Sequence, residues 1–87
     1  MEILSLHTDI KVNGTLTHSV TYNLTHSASL YGIECYIDGA DHSLDTNYCY
    51  VRNITSDGEF AKELLYKLAQ GEVLPIHVAD IIQDLYS

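Results

Sequence analysis

The chain has 87 residues, a length that suits one domain, and 46% of them are apolar. Twelve Asp and Glu face four Lys and Arg, a formal charge of −8. That balance excludes the basic surfaces that nucleic acid and anionic membranes require, and it suits solubility or a basic protein partner. No run approaches the roughly 18 apolar residues of a membrane span. The start, Met1-Glu2-Ile3-Leu4, lacks the basic region and apolar core of a leader, so a cytoplasmic location is expected. Two cysteines, Cys35 and Cys49, do not make a disulfide scaffold, and they lack Cys-x-x-Cys spacing.

The elements follow in the order strands first, helices last, which is the α+β order. Strands are expected at about 2–12, 15–26, 30–37 and 47–54, and helices at about 57–70 and 75–86. In the first strand Leu4, Leu6, Ile10 and Val12 are the apolar set. In the second, Leu16, His18, Val20, Tyr22 and Leu24 alternate with Thr and Ser. Asn13-Gly14 signals a hairpin between them. A two-residue loop there would put the two apolar sets on opposite faces. A shift of one residue sets Val12 opposite Leu16, Leu6 opposite Tyr22 and Leu4 opposite Leu24, all on one face. A three-residue loop or a bulge is therefore expected. The long, Thr-rich second strand is expected to leave an edge or a face exposed.

The second hairpin surrounds the polar loop Asp38–Thr46. Centred on His42, it sets Cys35 opposite Cys49 and Ile33 opposite Val51 in the core. Glu34, Tyr36, Tyr48, Tyr50 and Arg52 then share the other face. Asp38, Asp41, His42 and Asp45 crowd the loop, but their spacing is not that of a calcium loop, and they are ordinary turn residues. Ser56-Asp57-Gly58-Glu59 has the form of a capping box, with Ser56 as the cap. Phe60, Ala61, Leu64, Leu65 and Leu68 follow at helical spacing, and Gly71 suits the C′ position. Pro75 suits the first turn of a second helix with the stripe Val78, Ile81, Ile82 and Leu85.

Three segments carry a resemblance. They are Tyr31-Gly32-Ile33-Glu34, the run Val51 to Asp57, and the run Glu72-Val73-Leu74-Pro75-Ile76-His77-Val78-Ala79-Asp80 to Leu85. Together they resemble a family of short, uncharacterised proteins of Clostridia-like Firmicutes, a domain of unknown function. The resemblance covers roughly residues 20–86, and Pro75, His77, Asp80 and Asp84 are its most specific part. It implies a bacterial origin and a shared fold, and it transfers no activity. Leu74 departs from the family's Ser before Pro75, and Gln83 from an acidic residue.

Two surfaces emerge as candidates for partner binding. Tyr36, Tyr48 and Tyr50 give rigid contact area with polar tips on the outer sheet face, although tyrosine is also simply a good strand residue. His77, Asp80 and Asp84 lie at i, i+3 and i+7, in one line along the second helix. Such a line can contact a partner, whereas a metal site there would need a fourth ligand from elsewhere. Histidines 18 and 26 stand about 26 Å apart on a straight strand and cannot share a metal. No phosphate loop, nucleophile elbow or metalloprotease helix is present.

The expectation is thus an antiparallel sheet of about four strands with two short helices packed on one face. It would act as a non-enzymatic interaction or regulatory module, without a cofactor, that binds a protein partner or itself. The rival is a small metal- or ligand-binding domain on His77, Asp80 and Asp84.

Overall fold

The computed structural model describes residues 2–11, 14 and 17–86. Four strands, β1 (Glu2–Lys11), β2 (Thr17–Ser27), β3 (Leu30–Ile37) and β4 (Tyr48–Thr55), form one antiparallel sheet in the order β1-β2-β3-β4. Two helices follow, α1 (Gly58–Gln70) and α2 (Pro75–Tyr86). The fold is α+β.

The register of the first hairpin is the one that puts both apolar sets on one face. Leu6 pairs with Tyr22 and Leu4 with Leu24. The pairing of Val12 with Leu16 lies outside the described residues. The second strand does not form an edge: β1 and β3 flank it, and the edges are β1 and β4.

Strands β2 and β3 are joined by the two residues Ala28 and Ser29, with φ of 52° and 68°. Positive φ at both central positions is a type I′ turn, whose twist matches that of the strands. Neither residue is suited to it, since a Cβ in the left-handed region crowds the following carbonyl. Ala28→Asn with Ser29→Gly should therefore stabilise the protein by about 1–2 kcal/mol. The urea midpoint should rise with an unchanged slope.

In the second hairpin Cys35 pairs with Cys49 and Ile33 with Val51. The register then slips between Ile33 and Tyr31, which pairs with Thr55. Arg52, Asn53 and Ile54 thus stand against the single residue Gly32, two residues in excess, and Asn53 turns the strand there with φ of 56°. Gly32 faces this bulge, and a Cβ there would stand 2.8 Å from the Val51 carbonyl oxygen. Only glycine fits so close to the backbone.

Both helices pack on the apolar face of the sheet, α1 mainly over β2 and β1, α2 over β4 and β3. Val20, Tyr22, Leu24, Ile33 and Cys35 from the strands meet Ala61, Leu64, Leu65, Leu68, Val78 and Ile82 from the helices, all buried. Leu85, expected in the α2 stripe, is instead 52% exposed because the helix runs past the end of its packing surface.

The caps depart from expectation by one residue at each end of α1. Asp57, not Ser56, is the N-cap, and its carboxylate accepts from the amides of Glu59 and Phe60. The Asp57 amide in turn donates to Thr55 Oγ1. At the other end Gly71 has φ −79° and ψ 0°, and Glu72 takes the left-handed turn with φ of 52°. The Val73 amide reaches the Leu68 carbonyl and the Glu72 amide that of Ala69. That is a Schellman closure with a glutamate at C′. Helix α2 starts at Pro75, and Leu74 before it supplies no capping oxygen.

Candidate functional site

With both helices on one side, the other side of the sheet has no helix over it. Period-two alternation puts Ser5, His7, Thr21, Asn23, Glu34, Tyr36, Tyr48, Tyr50 and Arg52 on that side. A hydrogen-bonded row crosses all four strands there. Ser5 Oγ donates to Asn23 Oδ1 at 2.7 Å, and Asn23 Nδ2 donates to Glu34 Oε1 at 2.9 Å. The Tyr48 hydroxyl donates to Glu34 Oε2 at 2.6 Å. Asn23 is 3% exposed although it lies on the open face, because longer neighbours cover it. A second set runs beside the first. Thr21 Oγ1 donates to Asp38 at 2.7 Å and has one hydrogen to give, so His7 Nδ1, 2.9 Å away, is the donor to Thr21. Among the described residues no buried side-chain nitrogen or oxygen lacks a partner. Satisfied networks of this kind hold side chains in one arrangement.

The tyrosines sit on this scaffold. Tyr36 and Tyr48 stack at 6.4 Å between centroids, and the His42 ring packs against both, at 4.7 Å from Tyr36 and 5.7 Å from Tyr48. His42 Nε2 donates to the Ile37 carbonyl at 3.0 Å, which folds the loop back onto the aromatic pair. Asp41 serves that loop too. It accepts from the amide and hydroxyl of Ser43, which hold its carboxyl below the usual carboxylate range. Tyr50 is 41% exposed, its hydroxyl 3.3 Å from Thr25 Oγ1 and the Arg52 guanidinium 5.6 Å from its ring centre. Burial first, and then the bond to Glu34, push the Tyr48 phenol up to about 12.

This face differs from the rest in charge. Its charged side chains are the acids Asp9, Glu34 and Asp38, the last bonded to Thr21, and two of the chain's four basic residues, Lys11 and Arg52. They come close to balance, while the whole chain carries −8.

The structure brings Tyr36, Tyr48 and Tyr50 together and leaves His77, Asp80 and Asp84 on α2, exposed and on the opposite side of the sheet. Among the described residues no three His, Cys, Asp or Glu side chains stand close enough to share a metal ion. Cys35 and Cys49 face each other as free thiols. Burial pushes Cys35 up to about 12 and raises Cys49 as well, the wrong direction for a nucleophile. Among the described residues no helix is long and apolar enough to cross a membrane.

The row Ser5–Asn23–Glu34–Tyr48 was not singled out in the sequence. Its signal was the polar side chains at outward positions of paired strands. Reading it needs the β2–β3 register, which sets Asn23 against Glu34. No curated protein and no solved structure matches the chain. The model of one family matches residues 1–87, and the chain belongs to that family, the family of unknown function DUF6514.

Proposed function

We propose that this protein is a non-enzymatic interaction module that self-associates through the helix-free face of its sheet. The observation that carries this reading is the fixed row Ser5–Asn23–Glu34–Tyr48, whose tyrosine stacks on the half-buried Tyr36 beside the exposed Tyr50. Side chains already held in place lose little entropy on binding, and tyrosines give area with a polar tip. The low net charge of this face supports the same reading. It is where two copies of a chain at −8 can approach with the least repulsion.

Sedimentation equilibrium is the test. The wild type should show a concentration-dependent dimer. The double variant Tyr36→Ser, Tyr50→Ser should dimerise at least about tenfold more weakly with an unchanged circular dichroism spectrum. A wild-type protein that stays monomeric to about 1 mM, where less than about 4 kcal/mol of association would go unseen, overturns the reading.

A further inference from the structure

Strand β4 ends the sheet, and its free edge is built differently from that of β1. The Ile37 amide donates to the Asn47 carbonyl at 3.0 Å. Antiparallel alternation then turns the amides and carbonyls of Cys49 and Val51 toward β3, and those of Tyr48 and Tyr50 outward. The β1 edge carries Asp9 and Lys11 and a register shift near its start, features that discourage pairing. Between Tyr48 and Val51, β4 carries no charge.

Two adjoining grooves, of about 520 and 410 Å³, run along this edge between β4 and α2. One is bordered by Val51 to Ile54 and the other by Tyr48 to Tyr50, so the strand forms one wall throughout. The other wall is α2, and Ala79 lines both grooves. Ile76, Ala79 and Gln83 stand at i, i+3 and i+7, one line along the helix. The smallest of them sits in the middle, and Ile76 is 48% exposed. His77, Asp80 and Asp84 are each one position further on, about 100° around the helix. The acidic line is thus the outer lip of the groove, and Asp45 borders its other end.

We infer that the β4–α2 groove takes an extended segment of a basic partner protein, added to the sheet as a fifth strand. Backbone pairing with Tyr48 and Tyr50 supplies the attachment, and alternate side chains supply the selection. Those pointing toward α2 are Lys or Arg, whose stems pass Ile76 and Ala79 and whose heads reach Asp80 on the outer lip. Those pointing the other way lie beside Tyr48 and Tyr50 and are apolar. The choice of a basic partner over a second copy follows from charge. A second copy would set one lip of Asp45, Asp80 and Asp84 against another, whereas a basic strand is complementary to it. The groove's α2 wall lies on the other side of the sheet from the proposed dimer face, Tyr48 and Tyr50 border both, and the proposal does not depend on dimerisation.

The test uses ¹⁵N-labelled protein and a blocked eight-residue peptide that alternates valine with lysine. Controls are the same peptide with glutamate for lysine, and with N-methyl groups on alternate residues, which removes the donors. Shifts should concentrate at Tyr48, Tyr50 and Ala79, and the Tyr48 and Tyr50 amides should exchange more slowly. Both controls should bind at least about tenfold more weakly. Ala79→Leu, which fills the groove at an exposed site, should weaken binding by a similar factor, and Asp80→Lys should weaken it with no change in the groove's shape. Equal binding by the N-methylated peptide overturns the proposal, as does a Tyr48 and Tyr50 response that is absent. Protection of these amides that grows with protein concentration alone assigns the edge to a second copy and also overturns it. A monomer that still binds the peptide would remove the dimer reading and leave this one standing.

Discussion

Tyr22→Ala should cost about 3–5 kcal/mol, enough to leave a domain of this size largely unfolded at moderate urea. Tyr22 is fully buried at the centre of the sheet, and among the described residues it is the largest of the fully buried side chains. It also ties distant parts of the chain together. Its hydroxyl donates to the Val73 carbonyl at 2.6 Å, in the segment between α1 and α2. Tyr22→Phe keeps the ring and removes only that bond. It leaves a carbonyl without its partner and should cost about 1–3 kcal/mol. Comparing the two variants in urea separates the packing from the tether. Alkali offers a check with a definite sign. Burial raises the Tyr22 phenol above its ordinary value, with smaller contributions from Cys35 and Glu72. A raised folded-state value means that the stabilisation is complete below the unfolded value of about 10 and is lost as pH rises beyond it. The wild type should lose stability above about pH 10, and Tyr22→Phe should lose less over the same range.

Asn23→Ala should cost about 1–3 kcal/mol and loosen the tyrosine face at the same time. Asn23 is the one residue that links Ser5 on β1 to Glu34 on β3. Without it, Glu34 keeps only Tyr48 within the row. The urea midpoint measures the loss. A spectrophotometric titration measures the loosening, because Tyr48, now pushed up to about 12, should ionise closer to the ordinary value of about 10. A variant that loses stability while Tyr48 still ionises late would show that burial alone controls this phenol.

Much of the fold was legible because strand parity leaves little choice. Once Leu6 and Tyr22 must share a face, only one register of the first hairpin remains, and the same holds for Cys35 and Cys49 in the second. The β2–β3 junction was hard to read because Ala28-Ser29 carries none of the glycine or asparagine that marks a type I′ turn. That gap hid the pairing of Asn23 with Glu34, and with it the row under the tyrosines. The caps slipped because Ser56 and Asp57 are both good cap residues in adjacent positions. The strand's exit through Thr55 decides between them, and no local pattern shows it. The groove was invisible for another reason. His77, Asp80 and Asp84 could be aligned on a helix, but what stands beside them depends on how α2 lies against β4.

The uneven placement of charge means that dissolved salt acts on the two surfaces in opposite directions. Screening weakens the mutual repulsion of two chains at −8, so the nearly neutral sheet faces should meet more readily as ionic strength rises. The same screening weakens the pull of Asp45 and Asp80 on a basic strand. A protein arranged in this way would trade one association for the other along a single axis of ionic strength, with no change in its fold.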